Sequence, residues 1–331
     1  MDYQEFLKQW HNDDEHIMVH TSGSTGKPKL LQVEKRRMLE SARITCDFLG
    51  LQAGNTALLC MPLDYIAGKM MVVRALERGL KLIVVPPSSH PMQSLMGQNV
   101  PLDFAAMVPL QVKNTLQVAQ ERNLLQSTRH LIIGGGAIDA ELARQLLHFP
   151  NAVWSTYGMT ETLSHIALRR LNGPNASEWY TPFDGVALTA DERGCLVIDA
   201  PAVCTQRLVT NDRVEFAPNG RQFRIMGRID NVINSGGIKL QIEEIENKLK
   251  KHLKAPFAIS KRQDAQFGEI VVLLTEDDDL EAVKNLCSNA LTNKYERPRL
   301  VVHIDHLPLT ATGKPARQAI NHLASLTKEK V

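Results

Sequence analysis

Residues 21–29 combine hydroxyl groups, glycines and lysines in a way that suits an oligophosphate ligand. Read in order, they are Thr21-Ser22-Gly23-Ser24-Thr25-Gly26-Lys27-Pro28-Lys29. Glycines let the backbone approach a ligand closely and expose N–H groups, hydroxyls donate hydrogen bonds to phosphate oxygens, and lysine supplies the opposing charge. Because the segment has no apolar side chain larger than proline, we do not expect it in the hydrophobic core.

This loop differs from the Walker phosphate loop, G-x-x-x-x-G-K-[ST]. Gly26-Lys27 is present, but Thr21 stands at the first glycine position, and Pro28 replaces the residue that would hold magnesium. Proline also favours an extended backbone at Lys27, so no helix is expected to begin directly at the lysine. The alternative is a flexible Ser/Gly linker, but such linkers seldom carry two lysines around a proline between apolar segments.

Two further candidate segments follow predicted strands. Gly134-Gly135-Gly136 comes after the apolar run 131–133, and Ser155–Thr162 comes after a strand predicted at Ala152–Ser155. Ligands of a mostly parallel sheet bind beyond the carboxyl ends of its strands, so both segments are placed to contact one. Taken alone, the glycines are also typical of a tight turn and the second segment of an ordinary polar loop.

The helices and strands that must position these segments can be predicted from hydrophobic periodicity. We predict helices over Glu34–Leu49 and Ile66–Arg78, a buried strand at Lys81–Val85, and one helix running through about Leu125. Strands alternating with long helices predict an α/β fold with a mostly parallel, helix-covered sheet. Short β-like pieces from Trp179 onward predict a small β subdomain. The predicted domains are 1–227 and a smaller α+β unit, 228–331.

Composition excludes several classes of protein. The chain has 331 residues, is 44% hydrophobic and carries a net charge of +2, which gives no support to nucleic-acid or membrane binding. Its five cysteines are odd in number and form no C-x-x-C pair, so neither a zinc site nor a disulfide framework is suggested. The polar, acidic N-terminus is not typical of a signal peptide. We expect a cytoplasmic protein.

Taken together, the motifs resemble those of the AMP-forming adenylating enzymes. This superfamily comprises acyl-CoA ligases, the adenylation domains of peptide synthetases and luciferases. T-S-G-S-T-G-K-P-K resembles its phosphate loop, and Y-G-x-T-E, G-R-x-D and T-G-K follow in the family's order at 157–161, 227–230 and 312–314. The matches extend over nearly the whole chain, so the chain is identified as a member of this superfamily.

The resemblance implies an ATP·Mg²⁺ site. The residues expected at the phosphates are Thr21, Ser22, Gly23, Ser24, Thr25, Gly26, Lys27 and Thr160. Those expected at the adenine are Gly134, Gly135, Gly136, Tyr157 and Gly158. Those expected at the ribose are Asp212 and Arg228, and Glu161 is the implied Mg²⁺ ligand. Magnesium suits such a site because it binds few protein carboxylates and shares phosphate oxygens.

Residues for the two chemical steps are implied by the same resemblance. Lys314 matches the catalytic lysine, which would stabilise the transition state when a carboxylate attacks the α-phosphate, a reaction between two anions. Asp230 matches the hinge between the two domains of family acyl-CoA ligases. Ser235, Gly236 and Gly237 resemble the loop that lines the tunnel for coenzyme A.

The chain departs from the family pattern at three places. Asn211 replaces glycine in Thr-Gly-Asp, and since asparagine tolerates a left-handed backbone we expect the turn there to survive. Tyr65 replaces the histidine that gates the acyl pocket. Only twenty residues precede the phosphate loop, so we expect most of the usual first subdomain to be missing unless the chain is truncated.

The activity implied is that of an ATP-dependent acid–CoA ligase. The absence of a carrier segment after Lys314 and the hinge residue Asp230 favour CoA ligases over peptide synthetases, and the motifs look most like the o-succinylbenzoate–CoA ligases of menaquinone biosynthesis. That acid keeps a second carboxylate, so a cation is expected in the acyl pocket. Lys113 is the candidate, beside Asn114 at the family's basic position, with His130 and His165 as others.

Two alternatives remain open. One is a ligase for another aryl or medium-chain acid, and the other is a catalytically inactive nucleotide-binding relative. Either would use a small-molecule carboxylic acid, ATP and CoA, or ATP alone, with no nucleic acid or membrane partner. The protein is expected to be a monomer or a homodimer.

Overall fold

The computed structural model describes residues 1–20, 30–98, 100–310 and 315–326. Its helices are α1 (Tyr3–Trp10), α2 (Lys35–Leu49), α3 (Ile66–Arg78), α4 (Pro109–Gln117), α5 (Ala119–Ser127), α6 (Ala140–Leu146), α7 (Ile242–Leu249), α8 (Leu280–Ala290) and α9 (Arg317–Leu326). Within these described ranges, no helix has the length and apolar character that a membrane crossing requires.

A seven-stranded sheet lies at the centre of the molecule, in the order β4-β3-β5-β6-β7-β8-β9. Its strands are β3 (Thr56–Leu59), β4 (Lys81–Val84), β5 (Phe104–Met107), β6 (His130–Ile133), β7 (Ala152–Gly158), β8 (His165–Arg170) and β9 (Thr181–Pro182). Strands and helices alternate from α2 to β7, with α4 and α5 consecutive, and a run of strands without an α-helix follows up to α7. The five strands from β4 to β7 run parallel, and β8 and β9 are antiparallel to their neighbours. The predicted fold class, a mostly parallel sheet in an α/β unit, is confirmed.

The other described strands form three smaller sheets. A hairpin is formed by β1 (His16–His20) and β2 (Leu30–Glu34). A four-stranded sheet contains β10 (Ala187–Ala190), β11 (Cys195–Asp199), β12 (Leu208–Phe216) and β13 (Phe223–Arg228), which is the predicted small β subdomain. A five-stranded sheet contains β14 (Val232–Ser235), β15 (Ile238–Gln241), β16 (Phe257–Asp264), β17 (Gly268–Thr275) and β18 (Leu300–His303).

Apolar side chains divide along the chain into separate cores. One cluster extends from Phe6 to Phe223, and two others lie between Ile233 and Ala324. Residues 229–231 form a short 3-10 turn between these sets. The domain boundary predicted at residue 228 stays a prediction, although the interruption of the core at this turn is consistent with it.

Glycine ends the two helices that flank the first strands. Gly50 and Gly79 adopt left-handed backbones, with φ of 63° and 66°, directly after α2 and α3. This conformation costs little at glycine because it has no Cβ. Helix α3 runs over Ile66–Arg78 as predicted, and α2 begins one residue later than predicted, at Lys35.

Three details of the predicted elements are wrong. The single helix predicted through Leu125 is two helices, because β-branched Val118 is extended at φ −105° and ψ 116°. The strand at Lys81–Val84 is an edge strand with Val84 47% exposed, since none of the described strands covers its outer side. The strand predicted at Ala152–Ser155 continues to Gly158, because antiparallel pairing with β8 extends it.

Candidate functional site

Two of the sequence motifs, residues 21–29 and the segment with Lys314, lie outside the described residues, but the residues on either side of each motif are described. The phosphate loop 21–29 joins β1 to β2, and His20, at the end of β1, forms a parallel bridge with Tyr65. Tyr65 directly precedes α3. Tyr65, the residue predicted at the acyl pocket, is therefore adjacent to His20, the last described residue before the predicted phosphate loop. Lys314 also lies outside the described residues, and the chain on either side of it pairs through Leu309 and Pro315.

Glycines at the carboxyl edge of the central sheet leave no room for a side chain. A Cβ at Gly134, directly after β6, would lie 2.3 Å from Thr156 Oγ1. A Cβ at Gly158, at the end of β7, would lie 2.3 Å from the carbonyl oxygen of Ser164. Gly134 is thus packed against the Thr156 side chain and Gly158 against the backbone of Ser164, at the edge where ligands of parallel sheets bind.

Tyr157, Asp212 and Arg228 form one hydrogen-bond network beside this edge. The Tyr157 hydroxyl donates to Asp212 Oδ2 at 2.7 Å, and Arg228 Nη1 donates to Asp212 Oδ1 at 3.3 Å. Asp212 and Arg228 are direct cross-strand partners on β12 and β13. The sequence predicted one adenine and two ribose residues from three distant motifs, and the fold brings all three into contact.

The same network continues to the predicted hinge residue. Arg228 Nη2 donates to Asp230 Oδ2 at 2.6 Å, so one guanidinium links the two carboxylates. Burial alone would lower the pKa of Arg228, but the hydrogen bond to Asp230 and the charges of Asp212 and Asp230 outweigh it and raise that pKa. Burial, the charge of Asp212 and the hydrogen bond to it raise the pKa of Tyr157, which therefore stays protonated.

Tyr157 is held by aromatic packing as well. Its ring meets Phe223 edge to face, with centroids 5.3 Å apart, and Tyr180 lies 6.0 Å away. The partly exposed ring at the end of β7 can offer a stacking surface to a planar ligand, because its hydroxyl and its buried edge are both fixed.

The turn that follows β7 is strained. Leu163 has φ 63°, the only positive φ of a non-glycine residue in the described ranges, and it is buried. The Ser164 N–H donates across it to the Thr162 carbonyl at 2.7 Å, which closes a γ-turn. The single Thr162 hydroxyl hydrogen holds the turn by donating to the carbonyl of Ser164 at 2.7 Å or to that of Met159 at 3.0 Å. Such strain at a non-glycine residue is typical of functional sites.

Glu161, the predicted magnesium ligand, lies in this turn. Its side chain is exposed and forms no ion pair within the described part of the chain, so it is free to bind a cation. The described residues contain no cluster of three or more acidic, histidine or cysteine side chains that could hold a metal. A single carboxylate nevertheless fits Mg²⁺, which takes its other ligands from water and phosphate.

A buried arginine that sequence reasoning missed contacts Ser164, the residue that follows Leu163 in this turn. Arg74 on α3 is 2% exposed and donates to Ser164 Oγ and weakly to Met71 Sδ, while its Nε has no partner. Burial lowers its pKa to about 10, so it remains charged at neutral pH. No carboxylate pairs with it among the described residues. The arginine inside the apolar run M-M-V-V-R-A was the available signal.

The cations predicted for the acyl pocket are occupied or distant. Lys113 Nζ pairs with Asp139 Oδ2 at 3.1 Å, and its side chain is 48% exposed. His165 is buried between Thr45 Oγ1 and Ser164 Oγ, each 3.1 Å from a ring nitrogen. Burial and the charge of Arg74 hold its pKa well below the ordinary value. His130 lies at the amino end of β6, at the opposite edge of the sheet from Gly134.

The structure also gives the backbone conformation of the predicted CoA loop and of Asn211. Gly236 and Gly237, at φ 58° and 82°, form the two-residue turn of the β14–β15 hairpin, next to Ser235. Asn211 lies within β12 and not in a left-handed turn, so the expectation for its backbone is wrong, because cross-strand pairing keeps this stretch extended. Its side chain instead contacts Asp230.

Comparison with known proteins places these features in a family. Residues 3–198 match the family model described as AMP-binding enzyme. The chain is 27% identical over 292 residues to the 2-succinylbenzoate–CoA ligase of Haemophilus influenzae, covering 81% of this chain and 62% of that protein. It therefore spans about three-fifths of the length of that relative.

Solved structures share the fold. The AMP-forming acyl-CoA synthetase/AMP-acid ligase II-like protein from Dyadobacter fermentans is 35% identical, with a TM-score of 0.64, covering 95% of this chain and 91% of that one. The o-succinylbenzoate coenzyme A synthetase from Bacillus subtilis, solved with ATP and a magnesium ion, has a TM-score of 0.76 at 20% identity, covering 91% and 68%. At that identity the second likeness concerns the fold alone.

Proposed function

The chain belongs to the AMP-binding enzyme family, and on that premise we propose that it is an AMP-forming acid–CoA ligase acting on o-succinylbenzoate. The observation that carries the proposal is the Tyr157–Asp212–Arg228 network at the carboxyl edge of the sheet. It offers an aromatic face for a base, and beside it a carboxylate for hydroxyl groups, as an adenosine requires. The identity of the acid in this proposal, o-succinylbenzoate, is taken from the names of the relatives.

Arg74 supports an acid with a second carboxylate. A buried guanidinium without a carboxylate partner is costly, and an anionic ligand that pairs with it would remove that cost. Arg74 reaches Ser164, two residues from the turn that carries Thr160 to Thr162, so its charge lies close to the proposed site of chemistry. In this proposal Arg74 replaces Lys113 as the cation of the acyl pocket, since Lys113 already pairs with Asp139.

The first half-reaction joins two anions. A carboxylate oxygen of the acid attacks the α-phosphorus of ATP, and the bond to the β-phosphate breaks to release pyrophosphate. Thr21 to Lys27 and Thr160 would hold the phosphates, and Lys314 would stabilise the negative charge of the transition state. Glu161 would hold Mg²⁺, which supplies positive charge to the phosphate oxygens.

The second half-reaction transfers the acyl group to CoA. The thiol loses its proton, the sulfur attacks the acyl carbon, and the bond to the phosphate oxygen breaks to release AMP. Rotation about Asp230 between the steps would withdraw Lys314 and bring Ser235, Gly236 and Gly237 to the CoA tunnel, a gating motion. The core is interrupted at the turn 229–231, which supports a pivot there.

We also propose a cytoplasmic location, since all five cysteines are free and buried.

The activity is tested with a panel of aryl and medium-chain acids assayed for CoA-dependent AMP formation. We expect o-succinylbenzoate to give the highest kcat/KM. Absence of AMP formation with every acid, together with retained ATP binding, would favour the inactive nucleotide-binding relative.

The two half-reactions are separated by two variants. Lys314→Ala should lower acid-dependent ATP–pyrophosphate exchange by about 10²- to 10³-fold, the usual cost of losing a preorganised cation, and should leave thioester formation from supplied acyl-adenylate intact. Asp230→Pro should do the reverse, because proline fixes φ at the pivot. Intact exchange in Lys314→Ala would show that the lysine assignment is wrong.

A further inference from the structure

Asn211 is the residue at which this chain departs from the Thr-Gly-Asp pattern, and its side chain bridges two charged groups. Its Nδ2 lies 3.0 Å from Asp230 Oδ1 and 3.3 Å from Asp230 Oδ2. Its Oδ1 accepts from Arg193 Nη1 at 3.1 Å. Since its backbone is extended, no glycine-like conformation is required at this position, and the side chain is what the asparagine contributes.

The Arg193 side chain is itself held by hydrogen bonds, so the Asn211 amide is anchored to a restrained group. Its Nε donates to Asp191 Oδ2 at 2.8 Å, and its Nη2 donates to the Thr210 carbonyl at 3.1 Å. Both partners belong to the small β subdomain, in the turn after β10 and in β12. The Asn211 amide therefore extends from a restrained arginine of the subdomain to the carboxylate of Asp230.

Asp230 lies between the apolar cores of the two halves of the chain. A change in the φ angle of Asp230 would reorient β14 and all that follows, and it would also move the Asp230 carboxylate relative to Asn211 and Arg228. A rotation about this bond must therefore break or distort these hydrogen bonds. The bonds thus stabilise the present orientation relative to orientations that need a different φ at Asp230.

We propose that Asn211 is a positioning residue that clamps Asp230 and sets the equilibrium between the two orientations of the C-terminal unit. The proposal rests on the proposed function in taking Asp230 as the pivot. Because the contacts are partly exposed, we expect the clamp to change the equilibrium by about two- to tenfold, and not to determine it alone.

The test measures orientation without catalysis. All five native cysteines are buried, so dyes can be attached to cysteines introduced at the exposed positions Asp199 and Lys284, one on each side of the pivot. Energy transfer between single pairs of dyes then reports the populations of the orientations. Asn211→Thr keeps a residue suited to a strand but loses the amide bridge, and Asn211→Asp places a like charge beside Asp230.

We expect Asn211→Thr to lower the population ratio of the present orientation by about two- to tenfold and Asn211→Asp to lower it further. The control Asn219→Thr, in the turn between β12 and β13, contacts neither Asp230 nor Arg193 and should change nothing. Unchanged distance distributions in both Asn211 variants would overturn the proposal.

The two half-reactions give a second readout. In the active enzyme, the ratio of pyrophosphate exchange to thioester formation from supplied acyl-adenylate should change by a similar factor in Asn211→Thr. A shift in orientation in a protein that consumes no ATP with any acid would support the clamp and contradict the ligase. An unaltered orientation in an active ligase would do the opposite.

Discussion

We call the Tyr157–Asp212–Arg228 network the proposed nucleotide side of the site and the surroundings of Arg74 its proposed acid side, and the two differ in how their charges are paired. On the nucleotide side, Asp212 and Asp230 share one guanidinium, and each group is at least partly exposed. On the acid side, Arg74 is fully buried and has only a hydroxyl and a sulfur as described partners. The turn at Leu163 follows β7, which carries Tyr157, and directly precedes Ser164, the hydroxyl partner of Arg74.

This difference has consequences for binding and for stability. A ribose on the nucleotide side would exchange existing hydrogen bonds for new ones, so the net gain per group is modest. A carboxylate on the acid side would complete a missing ion pair in a buried setting, where the gain is larger. Losing the acid-side cation should therefore cost more activity, and less stability, than losing the nucleotide-side anion.

The sharpest test of this contrast is Arg74→Met. We expect kcat/KM for o-succinylbenzoate to fall at least about 30-fold, because a buried charge partner of the ligand is lost. The free energy of unfolding should stay the same or rise by about 1–2 kcal/mol, since an unpaired buried charge is removed. Steady-state kinetics and urea unfolding check both.

Two controls make this result specific. An aryl acid with one carboxylate should lose much less in Arg74→Met. Arg78→Met, on the same helix but paired with Asp47 at the surface, should leave both acids unaffected. Equal losses for both acids, accompanied by destabilisation, would show that Arg74 is structural.

Gly158→Ala tests the close packing at the end of β7, where Gly158 lies against the backbone of Ser164. The added Cβ would lie 2.3 Å from the Ser164 carbonyl, which belongs to the backbone and cannot turn aside. We expect the free energy of unfolding to fall by about 3 kcal/mol, measured by urea titration. Gly136→Ala is the matched control, since its Cβ would lie 3.5 Å from Pro109 and should cost less than about 1 kcal/mol. Equal effects would contradict the packing described.

Asp212→Asn tests the nucleotide side. The amide still accepts from Tyr157 but no longer carries charge for Arg228 or for ribose hydroxyls. We expect the KM for ATP to rise about tenfold or more, the KM for the acid to stay constant, and stability to change by about 1 kcal/mol. Asp199→Asn, an exposed aspartate on β11, serves as the control. A matching rise in the KM for the acid would remove the distinction between the two sides.

A last prediction concerns the pH dependence of stability, through His165 beside Arg74 and His130 in the central sheet. Burial lowers the pKa of His165, beside Arg74, and lowers the pKa of His130 to about 4. The unfolded chain therefore binds more protons than the folded one below about pH 6.5, so stability falls as the pH decreases from there. The slope is at most about 1.4 kcal/mol per pH unit for each histidine.

Unfolding titrations between pH 7 and about pH 4 would detect this slope. His165→Gln and His130→Gln should each make it shallower. Tyr157 on the nucleotide side stays protonated throughout this range and should contribute nothing. A slope that neither substitution reduces would show that other groups cause it.

The sequence by itself determined the chemistry of the parts. Glycines 50 and 79 fixed the ends of α2 and α3, and the motifs at Tyr157, Asp212 and Arg228 identified residue types suited to a nucleotide. Such local signals depend on backbone preference and on a few neighbouring residues, so they can be seen without the fold.

Only the tertiary structure determined which of these residues contact one another. Arg74 contacts Ser164 ninety residues away, Asn211 on β12 contacts Asp230 just after β13, and Lys113 pairs with Asp139. These outcomes depend on burial and on strand register. A charged side chain is chemically the same in the sequence wherever it lies, and only its packed surroundings determine whether it already has a partner.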